Sequence, residues 1–193
     1  MTEIEKINER VKACKACRLC SLGAKQAVPG EGDPNAQIIF IGEGPGRDED
    51  EQGRPFVGAA GKFLTQMLEL AGFKREEVFI TNVVKHRPPQ NRDPLPEEIL
   101  ACWPYLEEQI KAIKPKIIVT LGRHAMGRFL PGLKISEVHG KAKRVKGIWC
   151  DKQVYFPVYH PASALYNPGL RDTLIRDMKK LPILLKKISN DPQ

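Results

Sequence analysis

No apolar segment in this chain of 193 residues approaches the roughly 20 consecutive residues that a membrane-spanning helix requires. The N-terminal segment TEIEKINERVK is polar and charged, so it lacks the apolar centre of a secretory signal peptide. Together these absences predict a soluble, cytoplasmic protein with no membrane partner.

No Gly/Ser-rich linker and no internal repeat divides the sequence. A chain of this length can bury a sizeable core as one unit. We therefore expect a single domain that covers residues 1–193.

A dinucleotide-binding fingerprint is also missing, although a glycine-rich turn follows a strongly apolar run at residues 38–41. The turn reads GEGPG, which does not have the G-x-G-x-x-G spacing, and the acidic RDEDEQ that follows would repel a pyrophosphate. Ligands of open α/β sheets bind beyond the carboxyl ends of the strands, where Glu43 would lie. The turn alone is equally compatible with a solvated glutamate in a tight connection.

Four apolar runs predict the strands of an α/β fold, at residues 38–41, 78–84, 116–121 and 154–159. Each run ends in an unusual polar sequence: GEGPG, TNVVKH, TLGRHA and YHPAS. If the strands are parallel, these ends meet at one edge of the sheet. Asn82 lies within the second run, and a buried amide must be hydrogen-bonded either to the backbone or to a ligand. Helices are expected near residues 3–13, 63–71 and 96–110, with a final helix at residues 171–188 that Pro182 bends.

Five cysteines in an intracellular chain do not indicate disulfides, because that compartment keeps thiols reduced. Cys14, Cys17 and Cys20 resemble the start of a ferredoxin-type run, but its fourth cysteine is missing. Distant residues must complete any metal site. From the residues alone, two ligand sets stay open: Cys14, Cys17 and Cys102 with either His86 or Cys20, and zinc would accept both sets.

Basic residues exceed acidic ones, 31 to 23, which gives a formal net charge of +8 and favours polyanionic partners. Residues 141–146 form a basic turn region, and we expect them to contact phosphates with an affinity that falls as salt rises. The basic residues of the last helix are expected to be a solvated face.

Taken together, GEGPG, GRPFVG, TNVVKHRPPQNRDP, Cys102 and HPAS resemble the family 4 uracil-DNA glycosylases, the iron–sulfur branch of that superfamily. The resemblance runs from about residue 14 to the last helix. It implies a three-layer αβα sandwich with a central four-stranded parallel sheet, and a monofunctional glycosylase that releases uracil from DNA. The implied partner is uracil-containing DNA, single- or double-stranded, and we expect a monomer.

The resemblance also implies roles for individual residues. Glu43 and His160 match the catalytic positions, and the substrate-binding set comprises Gly42, Gly44, Pro45, Gly46, Phe56 and Asn82. A 4Fe–4S cluster would be held by Cys14, Cys17, His86 and Cys102. The family usually has cysteine where this chain has His86, and Cys20 is the alternative fourth ligand.

Two other kinds of function were weighed. A non-catalytic or cross-linking lesion sensor could use the same pocket and cluster, but the presence of both Glu43 and His160 favours turnover. A nucleotide-binding protein stabilised by a metal is disfavoured because the phosphate-binding fingerprint is absent. An electron-transfer protein is disfavoured because the ferredoxin-type cysteine spacing is incomplete.

Overall fold

A mixed six-stranded sheet forms the centre of the computed structural model, which describes residues 1–190. Its strands are β1 (Glu31–Gly32), β2 (Ile38–Gly42), β3 (Phe79–Asn82), β4 (Ile117–Leu121), β5 (Lys143–Val145) and β6 (Gln153–Val158). The strand order is β1-β3-β2-β4-β6-β5, with parallel pairing among the inner four strands and antiparallel pairing at both edges. The predicted four-stranded parallel core is confirmed, and two short edge strands extend it.

Helices cover both faces of the sheet, as an αβα sandwich requires. They are α1 (Glu3–Lys12), α2 (Arg47–Gln52), α3 (Ala59–Leu70), α4 (Pro96–Ile113), α5 (Arg123–Phe129), α6 (Ile135–Val138), α7 (Ser163–Tyr166), α8 (Pro168–Met178) and α9 (Leu181–Asn190). Side chains of a strand alternate between faces. Accordingly Ile39 and Ile41 pack with the α1 and α4 side, whereas Ile38 and Phe40 pack with the α3 and α8 side. No helix within residues 1–190 has the length and apolar character to cross a bilayer.

Two local predictions were wrong. The expected final helix is two helices, α8 and α9, because the chain breaks ahead of Pro182, which then lies in the first turn of α9, where a missing N–H costs nothing. Residues 141–146, which were expected to be a basic turn, contain the strand β5. The acidic RDEDEQ segment forms the short helix α2, for which Gly46 is the N-cap.

Candidate active site

A cavity of about 360 Å³ opens at the carboxyl ends of the parallel strands. Its walls come from the loops after β2, β3 and β6 and from the proline-rich loop before α4. The lining residues are Glu43, Gly44, Pro45, Gly46, Glu49, Phe56, Ala60, Asn82, Pro88, Asn91, Arg92, Pro94, His160 and Ala162. An acid, an amide and an imidazole from three separate strand ends therefore share one cavity.

Gly42 lies behind this cavity rather than in its lining. A β-carbon there would collide with the Asn82 amide oxygen and would lie 2.6 Å from the Phe56 ring. Only glycine lets these two side chains approach the end of β2.

Asn82 is 2 % exposed, and its Oδ1 has no hydrogen-bond partner within the described part of the chain. An unpaired buried acceptor costs free energy unless something donates to it. Because Asn82 lines the cavity, the missing donor is one that a ligand can supply.

Phe56 adopts a left-handed backbone conformation with φ of 51°, which is uncommon for a bulky side chain. Glu49 supports this conformation: its Oε1 accepts hydrogen bonds from the backbone N–H groups of Val57 and Gly58, both at 2.9 Å. A β-carbon at Gly61 would overlap the Phe56 carbonyl, so α3 also needs glycine at this point. The Phe56 ring is thereby held with its centroid 5.7 Å from that of His160.

The acidic residues of α2 organise the loops around the cavity. Glu49 Oε2 accepts from the Gly46 N–H at 3.1 Å, and the buried Asp50 accepts from the Lys25 N–H at 2.9 Å. The sequence signal for this role is a glutamate three residues after the helix N-cap, as in Gly46-Arg-Asp-Glu49.

His160 is oriented by the backbone that follows it. The Ala162 N–H donates to Nδ1 at 3.1 Å, so the proton of the neutral ring is on Nε2. Burial lowers the pKa of His160 to about 4, against a smaller opposing effect of Glu49. The ring is therefore a neutral hydrogen-bond donor near pH 7.

The pKa of Glu43 is shifted upward, in the opposite direction to that of His160. Burial, and then the charge of Asp93, raise the pKa of Glu43 to about 7, while Arg128 and Arg123 lower it. A carboxyl group poised near neutral pH in a cavity is typical of catalytic sites.

Comparison with known proteins agrees with this geometry. Residues 29–181 match the family model described as the uracil DNA glycosylase superfamily. The chain belongs to this superfamily. It is 54 % identical over 188 residues to the type-4 uracil-DNA glycosylase of Sulfurisphaera tokodaii, which covers 94 % of this chain and 84 % of the relative. It is 47 % identical over 192 residues to the type-4 enzyme of Archaeoglobus fulgidus, covering 95 % and 96 %. It is 33 % identical over 154 residues to the type-5 enzyme of Thermus thermophilus, covering 62 % and 70 %.

The residues expected to hold an iron–sulfur cluster do not line the cavity. Cys14 follows α1, His86 follows β3 and Cys102 is on the inward face of α4; all three side chains are buried. Burial raises the pKa of Cys102 to about 11, and it also raises the pKa of Cys17, to which Cys14 and Cys20 contribute as neighbouring thiols.

The spacing of these ligands bears on the metal. Among the residues with described positions, no three cysteine or histidine ligand atoms lie within 4.8 Å of one another. Ligand atoms around a single tetrahedral zinc with Zn–S of about 2.3 Å are about 3.8 Å apart. The described cysteine and histidine side chains are therefore not packed as closely as the ligands of one bound zinc ion.

Lys85 is a buried polar residue that sequence reasoning missed. Burial lowers the pKa of Lys85 to about 7. Its Nζ is fully buried and donates to Thr81 Oγ1 at 2.7 Å and to the Asn82 carbonyl and Gln109 Oε1, both at 2.8 Å. Its backbone N–H donates to Cys102 Sγ at 3.4 Å. Lys85 thus connects the end of β3, where Asn82 lies, to α4.

The basic segment at residues 141–146 does not cluster at the cavity. The Gly140 N–H donates to the Pro157 carbonyl near the carboxyl end of β6. The following strand β5 runs antiparallel to β6, so that Val145 pairs with Gln153 at the amino end of β6. The segment extends along the sheet edge away from the site. At the cavity rim, in contrast, α7 carries the exposed side chains of Leu165 and Tyr166, which are 44 % and 88 % accessible.

Proposed function

We propose that this protein is a DNA repair enzyme that hydrolyses the N-glycosidic bond of deoxyuridine in DNA, releasing uracil and leaving an abasic site. The observation that carries the proposal is the meeting of Glu43, Phe56, Asn82 and His160 in one cavity. The type-4 uracil-DNA glycosylases that match most of its length support the same activity.

The bond to be broken is hidden inside a duplex, so the nucleotide must leave the stack and enter the cavity. The exposed Tyr166 and Leu165 lie on α7 beside the cavity residue Ala162. Apolar and aromatic side chains inserted between base pairs stabilise such distorted DNA. We assign α7 the role of filling the gap that the everted base leaves.

Uracil recognition is assigned to Asn82 and Phe56. The Asn82 amide has one acceptor and one donor side, which suit the N3–H and O4 of uracil, whereas cytosine presents the opposite polarity. Its unpaired Oδ1 would accept from N3–H. Phe56 would stack on the base, and Gly44, Pro45 and Gly46 would shape the floor of the pocket. Gly42 would serve substrate binding from behind this floor, where it leaves room for Asn82 and Phe56.

His160 is assigned to the leaving group. As the C1′–N1 bond breaks, its electron pair stays with uracil, and negative charge develops on O2. The neutral His160 ring has its proton on Nε2, so it can donate a hydrogen bond to this oxygen. Removing a donor of this kind typically costs about 3 kcal/mol of transition-state stabilisation.

Glu43 is assigned to the sugar. Positive charge develops at C1′ as in other glycoside hydrolyses, and a carboxylate stabilises it. The same group can orient the attacking water, whose oxygen bonds to C1′ while the proton that the water gives up neutralises the departing uracil anion. Both roles require the ionised form of Glu43.

A 4Fe–4S cluster is assigned to Cys14, Cys17, Cys102 and His86. These residues fit such a group, because the thiols are neighbours and because His86 Nδ1 is buried without a hydrogen-bond partner in residues 1–190. Burial lowers the pKa of His86, which keeps the ring neutral as a ligand must be. When bound, the cluster would hold α1, the proline-rich loop and α4 together. Its role would be structural, because hydrolysis of a glycosidic bond needs no electron transfer.

We further propose that residues 1–193 form one domain that acts as a monomer. One sheet with a hydrophobic core on each face supports the single domain.

The test is incubation of the iron-loaded protein with single- and double-stranded oligonucleotides that contain one uracil, followed by alkali. The expected result is strand cleavage at the uracil position, with far less cleavage for the His160→Gln and Glu43→Gln variants. Specific binding of uracil-containing DNA without cleavage would instead identify a lesion sensor and would refute the enzymatic proposal.

A further inference from the structure

A histidine and a second acid lie next to Glu43 at the mouth of the cavity. His124, at the start of α5, has its Nδ1 3.5 Å from Glu43 Oε1. Asp93, in the proline-rich loop, has its Oδ2 3.4 Å from His124 Nε2. The ligand atoms of these three side chains all lie within 4.8 Å of one another. Three elements that are distant in sequence therefore bring an acid, an imidazole and an acid together.

The proton positions of His124 follow from its neighbours. The Arg123 Nε–H donates to His124 Nε2 at 3.1 Å, so that nitrogen accepts in the neutral ring and the proton is on Nδ1, facing Glu43. His124 thus turns its Nδ1–H toward the Glu43 carboxylate.

We propose that His124 is a positioning residue for Glu43, which keeps this carboxylate ionised and oriented toward the cavity, and that Asp93 opposes it. The inference rests on the proposed glycosylase function, since it concerns the acid assigned to the sugar cation. Asp93 repels a negative charge on Glu43, whereas the His124 Nδ1–H faces the same carboxylate as a donor. The remaining charged groups that act on Glu43 are Arg123 and Arg128, both of which favour the carboxylate.

The consequence is a pH dependence that two neighbours shift in opposite directions. Activity rises with pH as Glu43 loses its proton, and the midpoint of this acidic limb reports its pKa, which is raised to about 7. In His124→Ala the carboxylate loses its donor, so the midpoint moves to higher pH. Because both side chains are partly exposed, we expect a shift of about 0.5 to 1 pH unit, and a rate about 3- to 10-fold lower at pH 6. In Asp93→Asn the repulsion is removed, so the midpoint moves to lower pH.

The experiment is single-turnover uracil release at pH 5 to 8 by the iron-loaded protein, with His139→Gln as the matched control. His139 also bonds to an aspartate, Asp177, at 2.6 Å, but it does not line the cavity. Its substitution should leave the midpoint where the wild type has it. Opposite shifts for the His124 and Asp93 variants support the proposal. An unchanged midpoint in His124→Ala, or shifts of both variants in the same direction, overturns it.

A second readout separates this inference from the proposed function. Carbon-13 NMR titration of the Glu43 carboxyl group measures the same two shifts without any substrate. If the wild-type protein releases no uracil, the proposed function fails, and the titration still decides whether His124 and Asp93 act on Glu43. If uracil is released but neither the limb nor the titration moves, only the inference fails.

Discussion

The conformation of Phe56 depends on one carboxylate, and removing that carboxylate gives a sharp test of the site. Glu49 accepts three backbone hydrogen bonds, from Gly46 at 3.1 Å and from Val57 and Gly58 at 2.9 Å. The last two fix the residues that directly follow Phe56. In Glu49→Ala both of these bonds are lost, although Arg75 Nη2 still donates to the carbonyl of Pro55.

The magnitude follows from two opposing terms. Hydrogen bonds to a charged group contribute about 1.5 kcal/mol each at the lower end of their range, so the bonds to Val57 and Gly58 together stabilise the loop by about 3 kcal/mol. A left-handed conformation of a non-glycine residue such as Phe56 costs about 1–2 kcal/mol. With the bonds the balance favours the observed loop by about 1.5 kcal/mol; without them it favours a relaxed loop by about the same amount. The competent loop is then populated at roughly a tenth, because 1.4 kcal/mol is a factor of ten.

The assay is single-turnover excision from a uracil oligonucleotide with enzyme in excess. We expect a roughly tenfold lower rate for Glu49→Ala, from the population argument above, with circular dichroism and iron content unchanged. Glu51→Ala is the matched control, because Glu51 belongs to the same helix but is exposed, and its side chain pairs with Lys25 at 3.4 Å rather than with the Phe56 loop. Wild-type rates in Glu49→Ala would refute the role of this carboxylate, as would an equal loss in Glu51→Ala.

Three further predictions concern the cavity, its rim and the cluster. Gly42→Ala places a methyl group against the Asn82 amide and the Phe56 ring. Uracil excision should therefore fall at least about 100-fold, while the Tm of thermal unfolding changes little. A Tm drop as large as that of a core-disrupting substitution would contradict this account. Tyr166→Ala should reduce excision from double-stranded DNA about tenfold more than from single-stranded DNA, because only the duplex must be held open; equal losses on both substrates would exclude the gap-filling role. His86→Ala should lose iron on purification, measured by absorbance near 400 nm and iron analysis, whereas Cys20→Ala should keep it; the reverse pattern would make Cys20 the fourth ligand.

Local sequence patterns predicted the elements that carry the chemistry. The four parallel strands are runs of β-branched and aromatic residues, buried on both faces, so their identity follows from composition alone. Parallel strands have their carboxyl ends at one edge of the sheet, and this is why the convergence of Glu43, Asn82 and His160 could be expected before any coordinates. The helix with Cys102 on its inward face was predicted from apolar spacing and Pro96 at its start.

Other features could not be predicted, because they depend on partners far away in the chain. The edge strands β1 and β5 are two and three residues long and exist only through pairing with β3 and β6. The buried Lys85 is stabilised by Gln109, 24 residues away. The approach of Asp93 and His124 to Glu43 has no local sequence signal, since the three residues belong to elements that are distant from one another in the chain.

The sequence by itself determined the family, the parallel core and the expectation that Glu43, Asn82 and His160 lie at the strand ends, because these depend on local hydrophobic patterns and on motifs read along the chain. Only the tertiary structure decided the protonation of those residues. Burial and neighbouring charges give His160 a neutral ring and Glu43 a pKa near neutrality. Both effects arise from groups that meet only in the folded chain, and the cost of moving a charge out of water depends on that packing.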